Sequence, residues 1–195
     1  MKDTREFIIE EAYKLFLNHS YEAVSISVIS DAIGFTKGAL YHHFRIKEEL
    51  FRAVIDKHFP ITSITADVDN ITLQGYTKVC IEHTGKILND IVSSNETFEP
   101  VNYLRLIADS FRHYTGFAER ITRLIDNEVK NVRTIIANAI KRGEIRDDID
   151  IPVMAAQFFS LSVGMAGDIM RNCSVESAIK SLKDQINQLY YLLKK

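Results

Sequence analysis

Apolar residues along this chain recur at helical spacing almost from end to end. From Thr4 to Asn18, Ile8, Ala12, Leu15 and Phe16 fall at i, i+4, i+7 and i+8, which predicts one amphipathic helix capped by Asp3 or Thr4. A short helix follows Ser25, a good N-cap, with Ile26, Ile29 and Ile33 inward, until Gly34 interrupts the pattern. A third starts at Thr36, again a capping residue, and runs through Tyr41 to Phe44. A fourth begins near Lys47, with Leu50, Phe51, Val54, Ile55 and His58 on one face, and Pro60 marks its end. The polar stretch Thr62 to Asn70 has no clear period, and Ser93-Ser94-Asn95 reads as a loop.

Longer helical patterns fill the rest. They cover Ile71 to Val92, then Val101 to Tyr114 with Leu104, Ile107, Ala108 and Phe111 inward. Phe117 to Arg142 follows, with an inner stripe from Ile121 through Val132 to Ala139. Asp150 and Pro152 start the next helix, which leads through Met154 to Met170, and the last runs from about Ser174 to Leu193 with a near-heptad stripe. Only 8 glycines and 3 prolines occur in 195 residues, which supports an all-α fold.

Composition narrows the classes. At 46% hydrophobic and 26% charged residues the chain is globular. No apolar run is expected to cross a bilayer, and Met1 to Glu11 is too charged for a secretory signal. Cys80 and Cys173 form no CxxC spacing, so a disulfide framework is not expected and a cytoplasmic location fits. His42 and His43 are adjacent and point in different directions on a helix, a poor metal pair; no metal and no cofactor is expected. No GxSxG, HExxH, P-loop or GxGxxG is present, so no enzyme is expected.

The stretch Ser25 to Phe44, SISVISDAIGFTKGALYHHF, carries the chemistry. Helix, tight turn at Gly34 and second helix make a helix-turn-helix, whose second helix lies in the DNA major groove. Thr36 offers a hydroxyl at the helix start, Lys37 a positive charge, and Gly38 close backbone approach. Tyr41 and His42 point outward and can donate to phosphates or base edges, and Lys47 can hold a second phosphate. Ser25 and Ser27 at the head of the preceding helix complete the candidate DNA-binding set. Residues 1 to 50 contain six Lys and Arg against eight Asp and Glu, so affinity must come from a few placed cations and from two linked copies.

Residues Arg5 to Leu50 resemble the DNA-binding domain of the TetR family of bacterial regulators. Ala12, Leu15 and Phe16 match its first helix. Ile29, Ala32, Ile33, Gly34, Phe35, Thr36, Lys37, Gly38, Leu40, Tyr41 and Phe44 match its turn and recognition helix, and Lys47-Glu48-Glu49-Leu50 its close. Three positions depart from the pattern: Asn18-His19-Ser20 stands where a glycine is usual, Ile46 where a capping residue is usual, and Ser30 where alanine is usual.

The resemblance implies a helix-turn-helix domain over 1–50 and a helical effector-binding and dimerisation domain over 51–195. It implies a homodimeric transcription regulator, a repressor, that binds a palindromic double-stranded DNA operator and is released by a small molecule. The last two helices would pair with their mates. His83, Tyr103, Phe111, Tyr114, Gln157 and Phe158 are the candidate effector-binding residues, because they set aromatic and polar groups on successive helices. The competing reading is an all-helical small-molecule-binding protein or enzyme whose N-terminal domain is only structural.

Overall fold

A computed structural model describes residues 4–59, 62–93, 99–172 and 174–195. The expectations resting on Asp3, Pro60, Ser94, Asn95 and Cys173 lie outside them. Among the described residues the regular elements are helices: α1 (Thr4–Asn18), α2 (Ile26–Ile33), α3 (Lys37–His43), α4 (Lys47–His58), α5 (Leu73–Ser93), α6 (Pro100–His113), α7 (Phe117–Lys141), α8 (Ile151–Asn172) and α9 (Val175–Leu193). Each predicted helix is present.

The chain divides into two compact units, residues 1–61 with 99–121, and residues 62–98 with 122–195. That division follows packing: α4 and α6 lie against α1 and so join the first unit.

In the first unit α1 packs against α2, α4 and α6. Its buried face is Ile8, Ile9, Ala12, Tyr13, Phe16 and Leu17, so the stripe is broader than the sequence suggested and Leu15 sits at its half-buried edge. Phe16, Phe51 and Tyr21 form an aromatic knot, with Phe51 edge-on to both partners at 5.0 and 4.9 Å. Tyr13 stacks flat on His58 of α4 at 3.7 Å, and its hydroxyl meets that of Tyr103 on α6 at 2.7 Å.

Helix α6 turns a different face inward from the one predicted. Tyr103, Leu106, Asp109 and Ser110 are buried, while Leu104, Ile107 and Phe111 are exposed. Polar anchoring decides this. The Tyr103 hydroxyl bonds Tyr13, Asp109 accepts from the backbone N–H of Tyr21 at 2.9 Å, and Arg105 donates to the carbonyl of Leu17. Leaving such groups buried without partners costs about 1–3 kcal/mol each, so the orientation that satisfies them wins over the apolar stripe.

The second unit buries one core drawn from α5, α7, α8, α9 and the turn between α7 and α8, with Ile135, Ile136, Ala139, Ile145 and Ile186 fully enclosed. The aperiodic stretch 62–70 has no helix, and its Ile64 and Val68 pack onto this core. The Glu144 carboxylate caps α5 by accepting from the N–H groups of Leu73 and Gln74 at 3.1 and 2.9 Å.

Helix α8 is long and apolar enough to cross a membrane by length and composition. Gln157, Ser160 and Ser162 interrupt its apolar residues, so no uninterrupted run betrays it in the sequence.

Candidate nucleic-acid interface and ligand cavity

The helix-turn-helix is built by local chemistry. The Ser25 hydroxyl caps α2 by accepting from the N–H of Val28 at 3.2 Å. Gly34 ends α2 in the left-handed conformation, φ 72° and ψ 25°, and its N–H bonds the carbonyl of Ser30. Ser30 is buried, and its hydroxyl donates to the carbonyl of Phe35 at 2.7 Å. The serine that departs from the family pattern therefore ties the turn shut. Thr36 then caps α3, its oxygen accepting from the N–H of Ala39 at 3.2 Å, which leaves the hydroxyl hydrogen to donate outward.

Leu40 and Phe44 anchor α3, both fully buried. The opposite side is open: Lys37, Gly38, Ala39, Tyr41 and His42 are exposed, Tyr41 by 49%. Positions 37, 38, 41 and 42 share one face of a helix. The structure thus brings Thr36, Lys37, Gly38, Tyr41 and His42 together on one surface. Ser25 is exposed at the head of α2, and Ser27 is half-buried in its first turn.

Lys47 is placed differently. Its ammonium donates to the Tyr21 carbonyl at 2.8 Å and lies 3.8 Å from the centre of that ring. Burial pulls its pKa below the ordinary lysine value, partly offset by Glu22. One of its three donors is thereby committed inside the protein. Tyr21, which the sequence did not single out, is the organiser here, because its ring also packs with Phe16, Phe51 and the stacked imidazole of His113 at 4.1 Å.

Close by, Glu22, Asp109 and His113 bring ligand-type atoms within 4.8 Å of one another and could hold a divalent ion. They also satisfy local roles. His113 Nε2 meets Glu22 at 2.7 Å, and Asp109 holds the N–H of Tyr21. The hydrogen bonds from its own backbone N–H and from His113 keep the Glu22 carboxyl below its usual pKa.

The candidate effector residues separate. His83 and Phe158 line one cavity of about 170 Å³ in the second unit. Its apolar wall includes Ile64, Val132 and Phe159, and its polar groups include Thr62, Thr84 and Ser162. Tyr76, Cys80 and Glu128 complete it. Burial first, then neighbouring negative charge, pushes the Tyr76 hydroxyl up; burial does the same to the Cys80 thiol. Gln157 lies apart, exposed on α8 in an open hollow shared with Leu161, Gln188 and Leu192. Tyr103, Phe111 and Tyr114 belong to the first unit. Tyr103 packs inside it, Phe111 is 51% exposed against the edge of Phe117, and the Tyr114 hydroxyl donates to Asp56 at 2.9 Å.

Sequence reasoning missed Glu128. The signal was present: 121, 124, 125, 128 and 132 run down one face of α7, so this carboxylate had to point where the isoleucines and leucine point.

An exposed recognition-type helix, a glycine turn and two capped helix starts define a DNA-binding helix-turn-helix domain. Comparison with known families gives its kind: residues 8–54 match the family described as bacterial regulatory proteins, tetR family. The chain carries the TetR-family DNA-binding domain. The HTH-type transcriptional regulator TtgR of Pseudomonas putida is 24% identical over 176 residues, spanning 84% of this chain and 79% of that one. The repressor ComR of Escherichia coli is 43% identical over 54 residues, 28% of this chain and 26% of its own. SmeT of Stenotrophomonas maltophilia, solved with triclosan, has the same fold at 17% identity, with a TM-score of 0.66 over 98% of this chain and 92% of that one.

Proposed function

We propose that this protein is a cytoplasmic, ligand-responsive transcription regulator, a repressor, that binds a near-palindromic operator as a homodimer. The observation that carries the reading is the open face of α3, with Lys37, Gly38, Tyr41 and His42 exposed on a helix whose opposite side is locked by Leu40 and Phe44. Lys37 and the Thr36 hydroxyl would fix register on phosphates, and Tyr41 and His42 would meet phosphates or base edges.

Dimerisation is supported by apolar residues left uncovered on α8 and α9: Val153 is 60% exposed, Val163 56%, Tyr191 72% and Leu192 60%. A second copy covering them would account for the membrane-like composition of α8 without a membrane. Two recognition helices about 34 Å apart would then read two half-sites one DNA turn apart. The effector site is the cavity holding His83 and Phe158. A ligand there lowers operator affinity to the extent that it prefers a conformation with a different spacing of the two reading helices. TtgR and ComR are named as transcriptional regulators, and SmeT is a repressor solved with a small molecule bound.

The test is a footprint of the full chain on the DNA flanking its own gene. Two protected stretches one helical turn apart are expected. Uniform protection, or none at micromolar protein, refutes the operator reading.

A further inference from the structure

The wall of the cavity is electrostatically one-sided. Glu128 is only 7% exposed, and no lysine or arginine lines the space with it. Its Oε1 accepts from the backbone N–H of Ile64 at 3.0 Å, and it is absent from every ion pair formed among the described residues. The imidazole in the wall does not answer it: His83 Nε2 meets Thr62 Oγ1 at 3.2 Å. Tyr76 and Cys80 are held in their neutral forms by burial, so neither adds a charge.

A carboxylate enclosed without a cation is costly, because its hydration is lost and a single amide does not replace it. The remaining surroundings suit a positive guest. Tyr76, Phe158 and Phe159 present aromatic rings, whose faces attract cations, and the Ser162 and Thr84 hydroxyls can accept from an ammonium. Size sets the upper bound. An apolar cavity of about 150 Å³ takes one benzene ring, so about 170 Å³ takes one ring with a short polar arm.

We propose that this cavity binds a small organic monocation: an ammonium group seated at Glu128 and carrying a single-ring-sized apolar body. The proposal rests on the reading of this cavity as the effector site and adds the charge and size of its ligand. It also gives Glu128 its role. The carboxylate sets charge selectivity, while the amide of Ile64 keeps it aimed.

Three probes of equal size separate charge from shape: benzylamine, benzyl alcohol and benzoate. Each is titrated into the full-length protein and into Glu128→Gln by calorimetry, with thermal shift as a second readout. Glutamine keeps an oxygen for the Ile64 N–H and removes only the charge. Benzylamine is expected to bind wild type at least tenfold more tightly than benzyl alcohol, with benzoate weakest, and E128Q should erase that margin while leaving benzyl alcohol unchanged. If benzyl alcohol or benzoate binds wild type as well as benzylamine does, or if the margin survives in E128Q, the monocation proposal is overturned. Should E128Q fail to fold, the ranking of the three probes on wild type decides alone. A gel shift with the best-binding probe keeps the two readings apart. Release of DNA by benzyl alcohol or benzoate retains the effector site and discards the charge class. No binding of any probe at millimolar concentration discards both.

Discussion

Two glycines four residues apart should respond to alanine with opposite signs. Gly34 holds φ 72°, and a Cβ built there would meet nothing within 4 Å. With no clash to add, Gly34→Ala costs only the left-handed backbone strain, about 1–2 kcal/mol. For a chain of this size that lowers Tm by roughly 2–8 °C. Gly34→Asn, which tolerates the conformation better, should lose less than alanine. Gly38 lies inside the first turn of α3, where an added Cβ would make ordinary contact with Thr36 Oγ1 at 3.9 Å. Gly38→Ala should therefore stabilise the helix by up to about 1 kcal/mol. It also puts a methyl on the surface proposed to face DNA, so operator affinity should fall while Tm holds or rises. Circular-dichroism melts and fluorescence-anisotropy titrations on the same preparations read both effects. A Gly34→Ala protein as stable as wild type, or a Gly38→Ala protein that is more stable and binds operator at full strength, would refute the reasoning.

Further outcomes are expected elsewhere. Ile46 occupies the N-cap of α4 with no side-chain cap bond and is 57% exposed, so Ile46→Ser should add about 1 kcal/mol, seen as a higher urea midpoint. Tyr103→Phe removes the buried hydroxyl pair with Tyr13 and should cost about 1 kcal/mol without altering the helical spectrum. Burial lowers the pKa of His58, against the raising effect of Glu10 and Glu6 and with Lys57 adding to the lowering. Its stabilising contribution is then complete above the ordinary imidazole value of about 6.5 and is lost as pH falls below it, because the unfolded chain takes up the proton first. His58→Gln should flatten that acid-side loss in pH-dependent melts. Leu192→Glu, on the uncovered face of α9, should turn a sedimenting dimer into a monomer at micromolar concentration.

The helices were legible because their stop and start signals are local. Ser25, Thr36 and Ser174 cap the helices that follow them, and Gly34 makes the tight turn its position implied. The exposed face of α3 was legible for the same reason: over seven residues, spacing alone decides which side chains share a face. What failed is what depends on distant partners. The inner face of α6 is chosen by Tyr13, Leu17 and Tyr21, about 90 residues earlier, and no periodicity in α6 reports them. The six candidate effector residues dispersed because aromatic side chains at helical spacing serve packing and pockets alike. Phe158 reaches the cavity, whereas Tyr103 closes a hydrogen bond in the other unit. Lys47 reads as a free cation in sequence, yet the carbonyl that holds it belongs to a turn 26 residues away. Glu128 was within reach, as a charge on an otherwise apolar stripe.

The decisive titration is the salt dependence of operator affinity for wild type and Lys37→Ala. Each phosphate neutralised contributes about 0.9 to the slope of log affinity against log salt. A dimer losing one such contact per subunit should therefore bind more weakly at every salt concentration, with a slope shallower by roughly 2. Unchanged affinity and slope would mean that α3 does not lie against DNA.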